Sequence, residues 1–274
     1  MELKTTNYTF WAEAYEDAID SIVYNIGKQN GMPCMRLGVI DMPETQTKTL
    51  ILYDINYSSM CANEGLKKGT GTIEMIQGAI KAVCRVHKDI AYVEFADKSY
   101  WETSKNGKVP IAERRVLAGK PTWYQEYLGA IPTAMTQVIL RLYEHASKHI
   151  VTEEILEGLG IRGKSRYIGK PVSFLVQERY ERWTEEQLLK LIQNLNIDKH
   201  NHLHSNMSVS LSGSTWMIPR KVIKTYPKAK FIGHAVMTGG GGGSRAKAAP
   251  TNRAAPYSFV VKNMNQNYCK QSCK

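Results

Sequence analysis

The amino-acid sequence predicts an α/β (α+β) chain: a mixed central sheet flanked by helices, then a helical addition, a short β segment and a basic C-terminal tail. Three observations predict it. Met35–Met42 and residues 47–57 are two runs rich in Leu, Ile and Val, joined by Pro43-Glu44-Thr45-Gln46, the pattern of an antiparallel hairpin. Residues 73–86 place apolar side chains at Ile73, Ile76, Ile80, Val83 and Cys84 and lead into strand-like residues 90–95, so that strand, polar loop, helix and strand form a crossover unit. Beyond Gly240 the chain changes character: residues 241–274 hold Arg245, Lys247, Arg253, Lys262, Lys270 and Lys274 and no acidic residue, six of the net charge of +11.

The remaining elements follow in chain order. Residues 10–24 carry Phe10, Trp11, Ala14, Ala18, Ile22 and Val23 close to a 3.6-residue period, with Glu13, Glu16, Asp17 and Asp20 mostly between them, which predicts an amphipathic helix. Lys105-Asn106-Gly107-Lys108 marks residues 101–109 as a surface loop. A helix over 121–128 stops at Gly129, and Pro132 fits that stop. Residues 133–149, 152–159 and 184–195 read as helices, the second opened by Thr152-Glu153-Glu154. Residues 207–218 alternate enough for one or two strands, and Gly239 to Gly243 predict a flexible break. The expected organisation is a core over 1–132, a helical addition over 133–198, a strand-containing segment over 199–238 and an extended basic tail over 239–274.

Composition bounds the class. The chain has 274 residues, 43% hydrophobic and 22% charged, enough for one sizeable core. Neither a run of roughly 18–20 apolar residues nor the apolar core of a secretory signal is present, so a soluble intracellular protein is expected, cytoplasmic or within a large particle, with no membrane partner. The five cysteines at 34, 61, 84, 269 and 273 are odd in number and widely spaced, which predicts reduced thiols. Cys61 and Cys84 lack an adjacent His in a nucleophilic arrangement. Cys269 and Cys273 have no second ligand pair nearby, and His200, His202 and His204 lie in polar, loop-like sequence, so no metal is expected.

The segment with chemistry in it is Glu64-Gly65-Leu66-Lys67-Lys68-Gly69-Thr70-Gly71-Thr72, between a predicted strand and the first turn of a helix. Glycines let backbone approach a ligand, and successive N–H groups at a helix N-terminus form an anion site that suits a pyrophosphate. A Gly-x-Gly loop taken alone is more often a plain tight turn before a helix.

Element order along the chain, this loop, and Trp123-Tyr124-Gln125-Glu126-Tyr127-Leu128-Gly129-Ala130 together resemble the GNAT N-acetyltransferase superfamily over about 130 of the 274 residues. The resemblance implies that the amides around Lys67, Lys68, Gly69, Thr70, Gly71 and Thr72 hold the pyrophosphate of acetyl-CoA. It also implies that a tyrosine of the Leu-Gly helix protonates the departing thiolate. Two departures stand out. Leu66 occupies the family's Gln/Arg position, and the usual tyrosine position falls on Gln125, so Tyr124 sits one residue, or about 100° of helix, away. Asp54, Glu94 and Asp97, on or beside the strands that flank the loop and helix, are the carboxylates placed to serve as general base.

The expected function is therefore acyl-CoA-dependent transfer of an acetyl group to an amine, with Tyr124, Glu94 and Asp54 as catalytic candidates and acetyl-CoA as the substrate. The competing expectation is a catalytically silent relative that serves as a structural component of a larger assembly. Its basic arm would anchor it, with Tyr257-Ser258-Phe259-Val260-Val261 docking as an added strand or the cations contacting nucleic acid non-specifically. An RNA- or DNA-acting acyltransferase would combine the two.

Overall fold

Alternation of buried and part-buried side chains sets most of the sheet. The computed structural model describes residues 1–17, 21–27, 33–55, 61, 70–97, 99–103, 107–161, 165–195, 197 and 210–233, with Thr70 and residues 101–103 described by backbone alone. All of these belong to one unit, Met1–Gly239. Nine strands form a mixed sheet in the order β11-β1-β2-β3-β4-β5-β6-β10-β9. These are β1 (Glu2–Lys4), β2 (Thr9–Glu16), β3 (Ile22–Ile26), β4 (Met35–Met42), β5 (Thr47–Ile55), β6 (Ile90–Ala96), β9 (Ile131–Pro132), β10 (Thr215–Pro219) and β11 (Lys230–Ile232). Every neighbouring pair is antiparallel except β5 and β6, which run parallel.

The helix expected over residues 10–24 is not formed; β2 and most of β3 occupy that stretch. Its apolar positions satisfy two periods at once. Phe10, Ala12 and Ala14 are buried and alternate with part-buried Trp11, Glu13 and Tyr15, the repeat of a strand, and the pairs from Ala12↔Ile26 to Glu16↔Ile22 close an antiparallel hairpin. The surface loop expected over 101–109 is likewise a separate two-stranded ribbon, β7 (Tyr100–Thr103) with β8 (Gly107–Pro110).

The crossover unit is present: β5 leads to α1 (Thr70–Val86) and then to β6. The inward face of α1, with Met75, Ile76, Ala79, Ile80 and Val83, shares one core with Leu37 and Val39 of β4, Leu50 and Leu52 of β5, Val93 and Phe95 of β6, and Trp216 and Ile218 of β10. Among the described residues seven further α-helices follow: α2 (Ile111–Leu117), α3 (Trp123–Leu128), α4 (Ala134–Ala146), α5 (Glu153–Gly158), α6 (Val172–Glu178), α7 (Glu185–Asn194) and α8 (Arg220–Ile223). Threonines cap three of them. Thr122 and Gln125 make a reciprocal capping box on α3, and Thr152 and Thr184 accept from the Ile155 and Gln187 amides. Of the one or two strands expected over 207–218, β10 forms and joins the sheet beside β6 from far along the chain, while residues 207–209 lie outside the described residues.

The cysteine expectation is corrected. Cys34 and Cys61 form a disulfide, with their Cα atoms 5.9 Å apart, while Cys84 is free. The β4–β5 hairpin pairs Met35 with Ile55, so residues just outside its open end meet although they are 27 apart in sequence. Among the described residues no helix is long and apolar enough to cross a membrane.

Candidate functional site

The site is built where the parallel pair opens. β5 and β6 pair from Lys48↔Ile90 to Leu52↔Phe95, after which β5 continues to Ile55 without a β6 partner. Against β4, Arg36 pairs with Asp54 and Leu37 with Leu52, so Tyr53 is the extra residue of a bulge. Leu52 faces the core, and the bulge turns both Tyr53 and Asp54 to the opposite face. Tyr53 lies flat over Gly38, where an added Cβ would come within 2.5 Å of its ring, and the Arg36 guanidinium sits 5.6 Å from the ring centroid. Burial raises the pKa of the Tyr53 phenol, with Arg36 opposing the shift.

α1 runs back along this pair. Lys48 N, at the start of β5, donates to Asp89 O just beyond the helix (3.1 Å), so the N-terminus of α1 lies at the C-terminal end of β5, the usual ligand position of a parallel crossover. Its first turn, Thr70, Gly71 and Thr72, contains no acidic residue. Glu74, one turn in, is tied down by Thr5 Oγ1 and Asn7 N at 2.7 Å each and Asn7 Nδ2 at 2.8 Å. Partial burial works against ionisation there, and these bonds outweigh it, holding the carboxyl below its ordinary range. A helix N-terminus whose first turn carries no acidic residue is a suitable place for an anion. The expected ligands Lys67, Lys68 and Gly69 lie outside the described residues; Thr70, Gly71 and Thr72 are where the reading placed them.

Tyr124 of α3 packs beneath the end of β6. Its ring centroid is 4.5 Å from that of Phe95, the last β6 residue paired to β5, and 5.3 Å from that of Trp123. Tyr124 is 7% exposed, and burial, with Asp97 adding to it, raises the pKa of its phenol strongly. Glu94 faces the other side of the sheet, between Ile51 of β5 and Met217 of β10; it is half-buried, and that burial raises its pKa. Asp54 shares Glu94's face and is exposed. Tyr124 and Glu94 therefore flank the same strand from opposite faces.

Asp97, read from the sequence as a candidate general base, sits in a polar cluster past β6 whose other members the sequence reading did not foresee. Asp97 is 1% exposed; its Oδ1 accepts from Ser99 N (2.8 Å) and Ser99 Oγ (2.6 Å), while its Oδ2 has no hydrogen-bond partner among the described residues. Burial, with Glu113 adding to it, pushes the carboxyl up to about 6 against the Ser99 bonds. Glu113 of α2 is 2% exposed, accepts from Ser210 Oγ and Ser212 N at 2.8 Å each, and has no partner for Oε2 among the described residues. Asp97 and Ser99 are two residues apart, the spacing of an Asx turn, and that was the only available signal. Among the described residues no group of three His, Cys, Asp or Glu side chains is arranged to hold a metal ion. No protein-family model, characterised protein or solved structure matches the chain.

Proposed function

We propose that the chain is an acyl-CoA-dependent N-acyltransferase of GNAT-like fold, transferring an acetyl group to an amine at the fork between β5 and β6. The observation that favours this reading most is the parallel pair itself: it stops pairing at Leu52 and Phe95, with the N-terminus of α1 at that end, Tyr124 on one face and Glu94 on the other. A pyrophosphate at the Thr70 to Thr72 amides would leave the pantetheine arm to enter between the strands. The amine would then attack the thioester carbonyl, forming C–N as C–S breaks with its electron pair on sulfur. Glu94 would take the amine's surplus proton and Tyr124 would supply one to the thiolate, the two transfers that such a reaction needs beyond positioning.

A second reading is favoured by one observation: Tyr124 is deeply buried, as befits an anchoring side chain. In that case the fork would bind CoA without turnover, and the chain would serve an assembly through its basic arm. Calorimetric titration with acetyl-CoA tests the shared premise, using the Gly71→Glu variant and the double variant Lys67→Glu with Lys68→Glu. Micromolar binding by wild type that both variants abolish supports the site. Release of CoA thiol on adding an amine then separates the enzyme from the silent component.

A further inference from the structure

Asp54 and Glu94 share the face of the sheet that turns away from α1, and strand register fixes their separation. Gly38 pairs with Ile51, Ile51 with Glu94, and Arg36 with Asp54, so Asp54 lies one strand over from Glu94 and two β4 residues further along. Strands about 4.8 Å apart with a rise of about 3.3 Å per residue put the two Cα atoms roughly 8 Å from each other. Ile51 is the floor between them; it is half-buried and stands apart from the core that α1 covers. On the side of Ile51 away from Glu94, the Tyr53 ring lies over Gly38 and bounds that floor.

Charge on this face runs against that of the chain. On β2 to β6, the side chains that alternate with the core-facing ones include three carboxylates, Glu13, Asp54 and Glu94, and one cation, Arg36, whereas the chain as a whole carries +11. Glu13 is engaged, its Oε1 accepting from Asn25 Nδ2 at 2.7 Å, and Arg36 holds its guanidinium 5.6 Å from the Tyr53 ring centroid. Among the described residues neither Asp54 nor Glu94 enters an ion pair. Two carboxylates beside one apolar side chain are thus left for a ligand to neutralise, and half-buried Glu94 gains most from a cation brought to it.

We propose that the acceptor is a small alkyl diamine: the nitrogen that reacts lies beside Glu94 at the fork, and Asp54, a specificity-determining residue, takes the second ammonium group across the Ile51 floor. This names the substrate class of the acyltransfer reading and rests on it. Because the carboxylates are one strand apart with a single apolar residue between them, the site fits a short aliphatic chain whose methylenes lie on Ile51 and against Tyr53. A monoamine leaves Asp54 without a cation, and an amine with a carboxylate tail sets two anions against each other. Overall, an alkylammonium and acetyl-CoA give the N-acetylated amine, CoA thiol and one proton released to water.

The test follows CoA thiol release from acetyl-CoA with putrescine, butylamine and γ-aminobutyrate, which share one carbon chain and differ in the charge of the far end. Wild type should prefer putrescine to butylamine about tenfold in kcat/KM, chiefly through KM, the scale of one charge-assisted hydrogen bond. Its preference over γ-aminobutyrate should be about 10². Asp54 is exposed, so substituting it changes charge with little effect on folding. Asp54→Asn should bring the putrescine-to-butylamine ratio to about one, and Asp54→Lys should place γ-aminobutyrate above putrescine. Equal use of putrescine and butylamine by wild type, or a ratio that neither variant moves, would overturn the diamine site while leaving the transferase reading intact. Turnover of a lysine-rich peptide but not of putrescine would overturn it in favour of a protein acceptor. Acetyl-CoA binding with no release on any amine would overturn transfer and the diamine site together, and a chain that does not bind acetyl-CoA would remove the site itself.

Discussion

Asp97 shows how a single buried carboxyl links the fold to pH. Its folded pKa lies near 6 against an ordinary value of 3.8, so between those values the native state holds a proton that the unfolded chain has released. Stability therefore falls as pH rises through that window and stays at its lower level above it. Asp97→Asn removes this titration. The variant should gain up to about 3 kcal/mol over wild type at pH 8 and nothing from this source near pH 4, read from urea melts at the two pH values. An equal gain at both would mean that Asp97 is not the titrating group. At this scale the sequence was partly legible. Glu94 and Tyr124 could be placed because their strand and helix could, whereas burial of Glu113 beside Asp97 depends on Ser210 and Ser212, about a hundred residues further along, which no local pattern announces.

At the scale of elements, two junctions hold the site in register. α3 ends at Gly129 with φ of 59°, and a Cβ there would meet Val222 Cγ1 at 2.7 Å. Gly129→Ala should cost about 2–3 kcal/mol from left-handed strain and overpacking, and Val222→Ala should return part of that in the double variant. Additive losses would show that Val222 does not crowd the position. The second junction is the Cys34–Cys61 disulfide, which fastens the open end of the β4–β5 hairpin. Closing a loop of this length stabilises by about 3 kcal/mol, so mild reductant should lower the urea midpoint of wild type and leave Cys34→Ser unmoved. Capped helices and the β4–β5 hairpin were legible because their signals are local. β2 and β3 were not, since Phe10 to Tyr24 fits a helical and a strand period equally and only cross-strand pairing decides between them.

For the whole molecule, the sheet is assembled from distant parts of the chain. β10 and β11 join opposite sides of the sheet, pairing with β6 and β1. A strand-containing segment near 207–218 was readable, but its partner was not, because pairing across a long helical addition leaves no mark in either sequence. The same distance explains why the crossover of β5, α1 and β6 could be anticipated from the order of elements, while the burial of Glu113 beside Asp97 could not. The central claim is that this fork takes an acyl-CoA. Titrating acetyl-CoA into wild type and into the Lys67→Glu, Lys68→Glu double variant tests it most directly. The account predicts micromolar binding that the double variant loses; no heat and no thermal shift at millimolar acetyl-CoA would contradict it.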